Sequence, residues 1–274
     1  MTKQYLHVDG LDESGAGQRR YLRYVAIGDS STEGLNDPDG AGGYRGWADR
    51  LAQHIARAQG SLLYANLGIR GRRTRRIREE QLDRALAMRP DLVTLFSGTN
   101  DVVSRRFDLN QVAGDIEHMH RALIETGATV LTFTLPDLTP VMPMGRLVSA
   151  KLLALNQALR EISARTGAVL VDFAEHPVAS DPRLWSADRL HANSAGHARI
   201  AGALAHALDL PESDVSWSKA LPELPRRSTF ERLRAEANWI GSYFLPWAWR
   251  HLQGRSSGDG VTPKRPELEP VGGS

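Results

Sequence analysis

Short apolar runs alternate with amphipathic runs along the chain between residues 22 and 208. The apolar runs predict five strands, at residues 22–27, 62–65, 92–96, 129–134 and 168–172. The amphipathic runs predict helices at residues 44–59, 73–88, 109–126, 146–166 and 193–208. Strands and helices that alternate in this way are typical of an α/β fold, in which a parallel sheet is covered by helices on both faces.

Polar residues and glycines follow three of the predicted strands directly. Ser30 follows the first strand, residues 66–71 follow the second, and residues 98–101 follow the third. In open α/β sheets, ligands bind at the carboxyl ends of the strands. Functional residues are therefore expected in these three segments.

A serine and a histidine far apart in the sequence form a candidate nucleophile and base. Ser30 lies in Gly28-Asp29-Ser30 at the exposed rim of the predicted sheet, where its hydroxyl needs a base to remove the proton. His191 lies three residues after Asp188, a spacing that lets the carboxylate bond the imidazole and fix its tautomer. Taken singly, the serine segment also fits an ordinary turn, and Asp188 also fits a turn residue beside an exposed histidine.

Two further segments can stabilise a developing oxyanion. Residues 66–71 are glycine-rich, and a glycine lets a backbone N–H approach a reacting centre closely. Asn100, within residues 98–101, offers a side-chain amide. The alternatives are turn geometry for the glycines and a local Asx turn for Asn100.

In combination, these segments resemble the SGNH family of hydrolases, also called the GDSL lipases and acylhydrolases. That family is named for a serine, a glycine, an asparagine and a histidine in four ordered blocks. The corresponding blocks are residues 27–30, 66–71, 98–101 and 188–191, and the resemblance extends over residues 24–208. It implies a three-layer αβα sandwich with a five-stranded parallel sheet of the flavodoxin-like type.

The resemblance also implies a serine esterase or lipase-like acylhydrolase and a role for each site residue. Ser30 is implied as the nucleophile, His191 as the general base and acid, and Asp188 as the residue that orients the histidine. The implied oxyanion donors are the N–H groups of Ser30 and Gly71 and the amide of Asn100. Such a reaction needs neither a metal nor an organic cofactor.

The resemblance leaves the oxyanion glycine and the acyl acceptor open. Gly71 matches the family glycine by its offset from Asn66, and Gly68 is the alternative. The same site would serve a thioesterase, a carbohydrate deacetylase, a lysophospholipase or an acyltransferase. A non-catalytic binding module is the alternative from another class, because a fold does not fix a function.

Some residues beside the blocks are candidates for contacting the substrate, namely Asp29, Arg70, Arg72, Asp101 and Met142. An arginine after the second block could bind a carboxylate or a phosphate. The favoured alternative is a solvated helix face paired with Glu79, Glu80 and Asp83. Met142 lies in a loop after the fourth strand, which forms either a wall of an acyl pocket or an ordinary surface connection.

The composition divides the chain into four parts. Residues 1–20 are polar and predicted to be flexible, and residues 21–209 form the hydrolase domain. Residues 210–253 read as a linker followed by an aromatic-rich helical extension, which packs on the domain, forms a dimer contact or binds a membrane surface. Packing is favoured. Residues 254–274 are rich in Gly, Ser and Pro and are predicted to be disordered.

Charge and residue usage narrow the classes of partner. The 274 residues include no cysteine, which excludes disulfides and a cysteine nucleophile. The formal net charge of +2 gives no support for nucleic-acid binding, although the pI is about 9.0. His118 and His120 are two apart on a helix and point to different faces, so no metal site is expected there. Without a signal-peptide core or a bilayer-spanning run, we expect a cytoplasmic protein and a small or lipid-like acyl ester as its partner.

Overall fold

A computed structural model describes residues 19–223, 228–246 and 257–272 of the chain. Its central sheet has the strand order β5-β4-β3-β1-β2-β6, and the first five strands in the sequence run parallel. The predicted parallel sheet of five strands is therefore confirmed, with a sixth strand added. The strands are β1 (Arg23–Gly28), β2 (Ser61–Asn66), β3 (Leu92–Phe96), β4 (Thr129–Phe133), β5 (Val169–Val171) and β6 (Arg265–Gly272).

Helices cover both faces of the sheet. On one face α2 packs against α7, and on the other α3 packs against α5, with α6 beside α5. The helices are α1 (Ser30–Glu33), α2 (Gly46–Gln59), α3 (Thr74–Ala87), α4 (Thr99–Val102), α5 (Leu109–Glu125), α6 (Ser149–Thr166), α7 (Ser194–Ala207) and α8 (Thr229–Trp239). No helix in the described part of the chain has a stretch long and apolar enough to cross a membrane.

Successive side chains along a strand point to opposite faces of the sheet. In β1, Tyr24 and Ala26 belong to the core beneath α2 and α7. Val25 and Ile27 belong to the core beneath α3 and α5. All four side chains are fully buried, so β1 is the apolar centre of the molecule and a rigid base for the residues that follow it.

The strand order places a crevice at the carboxyl ends of β1 and β3. From β1 the chain crosses to β2 on one side, whereas β3 lies on the other side of β1. The connections that leave these two strands therefore diverge, and such a switch point is where open α/β sheets bind ligands. Ser30 and Asn100 both follow strands at this point.

The C-terminal tail corrects the prediction of disorder for residues 254–274. β6 pairs antiparallel with the exposed edge of β2, and Leu268 and Val271 pack against the two cores. The Lys264 ammonium ties the start of this strand to α2, since it donates to the carbonyl of Tyr44 at 3.0 Å and pairs with Asp49 at 2.8 Å. The prolines of the tail suggested disorder, but an edge strand tolerates a missing N–H. Residues 254–256, 273 and 274 lie outside the described residues.

The extension before the tail is packed rather than separate. Part of the segment predicted as a linker forms a helical turn, and Trp217 in that turn packs edge-on against Phe173 and His176. Next, α8 continues into a wider helical turn at Ile240–Phe244, and Trp239 is buried. The rest of the predicted aromatic helix, residues 247–253, and residues 1–18 of the N-terminal segment lie outside the described residues.

Candidate active site

The segment after β1 holds Ser30 at the start of a helix. Asp29 caps α1 by accepting a hydrogen bond from the Ser31 N–H at 3.0 Å, and Ser30 is the first helical residue. Gly28 permits this tight turn, because its φ is +156° and an added Cβ would lie 2.2 Å from Thr32 Oγ1. Ser30 is 9% exposed, so it is largely shielded from solvent. We refer to residues 28–33 as the Ser30 turn.

The structure brings His191 and Asp188 to this serine. His191 Nε2 lies 2.8 Å from Ser30 Oγ, and His191 Nδ1 lies 2.8 Å from Asp188 Oδ2. A carboxylate only accepts hydrogen bonds, so the Nδ1–H of the imidazole donates to Asp188. Nε2 then accepts from the Ser30 hydroxyl. These three residues, distant in the sequence, thus form one continuous hydrogen-bonded chain.

Asp188 is held by donors from its own loop, residues 186–191, which we call the His191 loop. Its Oδ1 accepts from the Ser186 hydroxyl at 2.6 Å and from the Leu190 N–H at 2.9 Å. Burial alone would raise the pKa of Asp188, but its bonds to His191, Ser186 and Leu190 outweigh burial and hold the pKa well below the usual range. Asp188 is therefore ionised at neutral pH.

Asn36 also holds the His191 loop, and sequence analysis missed it. Its amide Nδ2 donates to Asp188 Oδ2 at 2.7 Å and to the Ser186 hydroxyl at 2.8 Å. Its φ of +67° is in the left-handed region, which asparagine adopts more readily than most residues. The neighbouring Leu35 carbonyl accepts from His197 Nε2 at 3.0 Å, which fixes the turn on α7. Only the left-handed preference of asparagine gave a signal in the sequence, and it did not indicate the partner.

Two backbone N–H groups are available for an oxyanion. Within the described residues, the N–H groups of Ser30 and Gly71 donate to no protein acceptor. The N–H of Gly68 already donates to Asn66 Oδ1 at 3.0 Å. An added Cβ on Gly68 would meet the backbone of Glu33 at 2.8 Å, so this glycine is needed for close packing on α1. Of the two glycines, Gly71 is therefore the one whose N–H has no protein acceptor within the described residues.

Asn100 lies at the same edge of the sheet, and its amide joins the other blocks together. Its Nδ2 donates to Asp29 Oδ2 at 3.1 Å and to the Arg72 carbonyl at 3.0 Å. Burial raises the pKa of Asp29 to about 7, although its bond from Ser31 opposes this rise. Both amide protons of Asn100 are thus engaged, and donation to an oxyanion would require it to share one of them.

Arg70 and Arg72 are ion-paired rather than free. The Arg70 guanidinium and its backbone N–H both donate to the buried carboxylate of Glu33, the latter at 2.9 Å. Arg72 Nε donates to Glu80 at 2.7 Å. Further along α3, Arg75 pairs with Glu79 and Arg76 with Glu80. Most of this arginine run is an ion-paired surface, which supports the favoured alternative, with Glu33 as a partner that the sequence did not indicate.

The other two candidate substrate residues have structural partners. Asp101 accepts from the Thr74 hydroxyl at 2.7 Å and from the Thr74 N–H at 2.9 Å, so it anchors the start of α3. Burial raises the pKa of Asp101 despite these two bonds. Met142 is buried among the apolar residues of the core. Asp101 is thus engaged by Thr74, and Met142 is part of the core.

The residues that suggested a metal site are separated by their helix. His118 is exposed, whereas His120 is fully buried, and burial lowers the pKa of His120 to about 4. In the part of the chain that the structure describes, no three His, Cys, Asp or Glu residues are grouped so that they could hold a metal ion.

Comparison with known proteins shows the family to which the chain belongs. Residues 26–199 match the family model described as the GDSL-like Lipase/Acylhydrolase family, and this match includes strands β2 to β5, the Ser30 turn and the His191 loop. No curated protein matches the sequence significantly.

Several solved structures have a similar fold. LAE5, an alpha/beta hydrolase enzyme from the metagenome of Lake Arreo in Spain, is 22% identical, with a TM-score of 0.58 over 69% of this chain and 95% of its own. TesA is also 22% identical, with a TM-score of 0.57 over 68% of this chain and 98% of its own. A catalytic mutant of Axe2, an acetylxylan esterase from Geobacillus stearothermophilus, is 17% identical, with a TM-score of 0.58 over 75% of this chain and 100% of its own. At these identities the similarity concerns the fold.

Proposed function

Because the chain belongs to the GDSL-like lipase and acylhydrolase family, the SGNH hydrolases, it is an ester hydrolase, and we propose that it works through an acyl-enzyme on Ser30. The observation that carries this proposal is the hydrogen-bonded chain from Ser30 through His191 to Asp188, with 2.8 Å at both links. A nucleophile, a base and an orienting carboxylate in this geometry are what serine-based acyl transfer requires.

In the first half-reaction, Ser30 Oγ forms a bond to the acyl carbon of the ester. Its proton passes to His191 Nε2, which already lies at hydrogen-bond distance. The imidazolium that forms is stabilised by ionised Asp188 at Nδ1. The carbon–oxygen bond to the alcohol then breaks, and Nε2 returns the proton to the leaving oxygen. In the second half-reaction, water gives a proton to Nε2 and its oxygen bonds to the acyl carbon. The bond from this carbon to Ser30 Oγ then breaks, the acid leaves, and Nε2 returns the proton to Oγ.

The negative charge on the carbonyl oxygen needs donors that are in place before the reaction. The N–H groups of Ser30 and Gly71 have no protein acceptor in the described structure, and they fit this role. Asn100 would be the third donor by sharing the proton that it now gives to Asp29 or to Arg72. Removal of one oxyanion donor typically lowers kcat by about 10²–10³-fold.

The charges around the crevice favour an uncharged acyl ester. Arg70 is bound to Glu33 and Arg72 to Glu80, so neither guanidinium is held ready for a substrate carboxylate or phosphate. The similarity to an acetylxylan esterase makes a carbohydrate acetyl ester one candidate substrate. Thioesters and transfer to an acceptor alcohol use the same site, and the partition between water and an added alcohol would identify an acyltransferase.

Labelling by a fluorophosphonate tests the nucleophile, with hydrolysis of p-nitrophenyl acetate to decanoate measured on the same samples. We expect wild type to be labelled and Ser30→Ala to lose both labelling and turnover. Ser31→Ala is the matched control, since the Ser31 hydroxyl accepts from the Trp47 indole N–H and is not the group bonded to His191. The chain-length profile gives the size of the acyl pocket. Folded wild type that resists labelling would contradict the proposal and favour a binding module.

A further inference from the structure

The helix α8 lies beyond the family match, yet it contacts the His191 loop directly. The match ends at residue 199, and α8 spans Thr229–Trp239. The indole Nε1–H of Trp239 donates to the Asp188 backbone carbonyl at 3.0 Å. Asp188 is therefore held twice, by Asn36 and the loop at its carboxylate and by α8 at its backbone.

The residue after Asp188 is fastened to the same helix. Arg189 NH1 pairs with Glu236 at 2.8 Å, and its guanidinium lies 4.8 Å from the centre of the Trp239 ring. Its φ of +59° lies in the left-handed region, which is unfavourable for an arginine. A strained residue persists only where its surroundings hold it, and the contacts from α8 supply that restraint.

From these contacts we infer that Trp239 and Glu236 are positioning residues for the reaction, so that the C-terminal extension is part of the catalytic apparatus. The inference rests on the proposed roles of Ser30, His191 and Asp188. His191 follows Arg189 by two residues, so a change at the Arg189 backbone moves the imidazole relative to Ser30. A misplacement of about 1 Å at a reacting group can lower a rate by about 10²-fold.

The test compares two tryptophan variants that remove the same atoms. Trp239→Phe keeps an aromatic ring but removes the N–H that reaches Asp188. Trp217→Phe is the matched control, because the Trp217 Nε1 is buried without a hydrogen-bond partner in the described structure. Titration with a fluorophosphonate gives the concentration of reactive active sites. The value of kcat per titrated site and the value of KM are then measured with one p-nitrophenyl ester. Thermal unfolding of both variants is followed in parallel.

We expect Trp239→Phe to lower kcat per site by about 10-fold, with KM within about twofold, because orientation of the base and not substrate binding is changed. Trp217→Phe should stay within about twofold of wild type in kcat per site. A purely structural role for Trp239 would lower the unfolding temperature and the number of titrated sites but leave kcat per site unchanged. That outcome would overturn the inference.

Charge exchange tests the second contact independently. Glu236→Arg and Arg189→Glu should each lower kcat per site by about 3–10-fold, and the double variant should recover most of the loss, since the ion pair is restored in reverse. No recovery would contradict a role for this ion pair. Failure of the proposed function and failure of this inference give different results. If the proposed function is wrong, wild type itself resists labelling. If only the inference is wrong, wild type is labelled and Trp239→Phe keeps the wild-type kcat per site.

Discussion

The Ser30 turn and the His191 loop meet at one hydrogen bond but are built in different ways. Residues 28–33 follow the fully buried strand β1, and their shape is set by a glycine, a helix cap and close backbone packing. Residues 186–191 contain no regular helix or strand and are held by side chains from Asn36, Glu236 and Trp239. The position of Ser30 thus depends on the core, whereas the position of His191 depends on side chains that are distant in the sequence.

This difference predicts how each half responds to substitution. A side chain added at the close-packed glycine of the Ser30 turn forces backbone atoms of the core to move, so its cost falls on folding. A change in a hydrogen bond or ion pair that holds the His191 loop alters the position of the imidazole, so its cost falls on kcat. The following experiments separate these two kinds of damage.

The largest effect is expected for Gly28→Ala in the Ser30 turn. The new methyl would lie 2.2 Å from Thr32 Oγ1 and 2.5 Å from the Phe96 carbonyl oxygen, and backbone cannot yield as a flexible side chain can. We expect the free energy of unfolding to fall by about 3 kcal/mol or more, as for severe overpacking in a core. Urea denaturation measures this change.

Gly114→Ala provides the control of opposite sign. Gly114 lies within α5, and an added Cβ meets no atom within 4 Å. Replacing a helical glycine by alanine at an open position should raise the free energy of unfolding by about 0.5–1 kcal/mol. A Gly28→Ala protein as stable as wild type would show that the Ser30 turn does not depend on close packing.

A smaller effect, on kcat rather than on stability, is expected for Asn36→Asp. The substitution keeps the shape of the side chain but replaces the amide donor by a carboxylate facing the ionised Asp188. We expect kcat per titrated site to fall by about 10–100-fold, equivalent to about 1.4–2.7 kcal/mol, because the two like charges repel and displace Asp188. Steady-state kinetics with active-site titration measures the loss.

Two further variants define the cause. Asn36→Gly accepts the left-handed backbone and removes the donor without adding charge, so its loss of kcat should be smaller than that of Asn36→Asp. Asn110→Asp, on an exposed position of α5, should leave kcat unchanged. If Asn36→Asp retained the wild-type kcat, the His191 loop would hold Asp188 without this tether.

The sequence predicted most of the sheet because continuous apolar runs mark strands that are buried on both faces, as for β1 and β3. It also predicted that the candidate site residues would lie at one edge of the sheet, since the carboxyl ends of parallel strands converge. The structure places Ser30, Asp188 and His191 together at this point. Their spacing along the chain, with the resemblance to a family, was sufficient to select them.

The remaining features depend on where the chain goes in space. Asn36 reaches Asp188 across 152 positions of sequence, and nothing in a local pattern reports such a contact. Arg70 was expected to pair along α3 but pairs with Glu33, because the second block packs on α1. β6 looked disordered by composition, yet the open edge of β2 gave it a partner. Local periodicity predicts elements, and it does not predict which surfaces they meet.

The smallest effect is expected from acidification. It acts through the buried His197, which fixes the turn before Asn36. His197 Nδ1 accepts from the Trp47 N–H at 3.1 Å, and Nε2–H donates to the Leu35 carbonyl. Burial lowers the pKa of His197 from 6.5 to about 4, although its bond to Leu35 opposes this. Below pH 6.5 the unfolded chain binds a proton that the native state refuses until about pH 4, so stability is lost as pH falls through this window.

The measurement is the change in unfolding free energy between pH 7.5 and 5.5, in wild type and in His197→Asn. We expect the variant to lose about 1 kcal/mol less than wild type over this interval, whatever its stability at pH 7.5, because it lacks the titrating ring. Asp29 acts in the opposite direction, since burial raises its pKa to about 7, so only the difference between the two proteins reports on His197. His118→Asn, on the exposed face of α5, is the control. If wild type and His197→Asn lost the same unfolding free energy between pH 7.5 and 5.5, the turn bearing Asn36 would not depend on a neutral histidine.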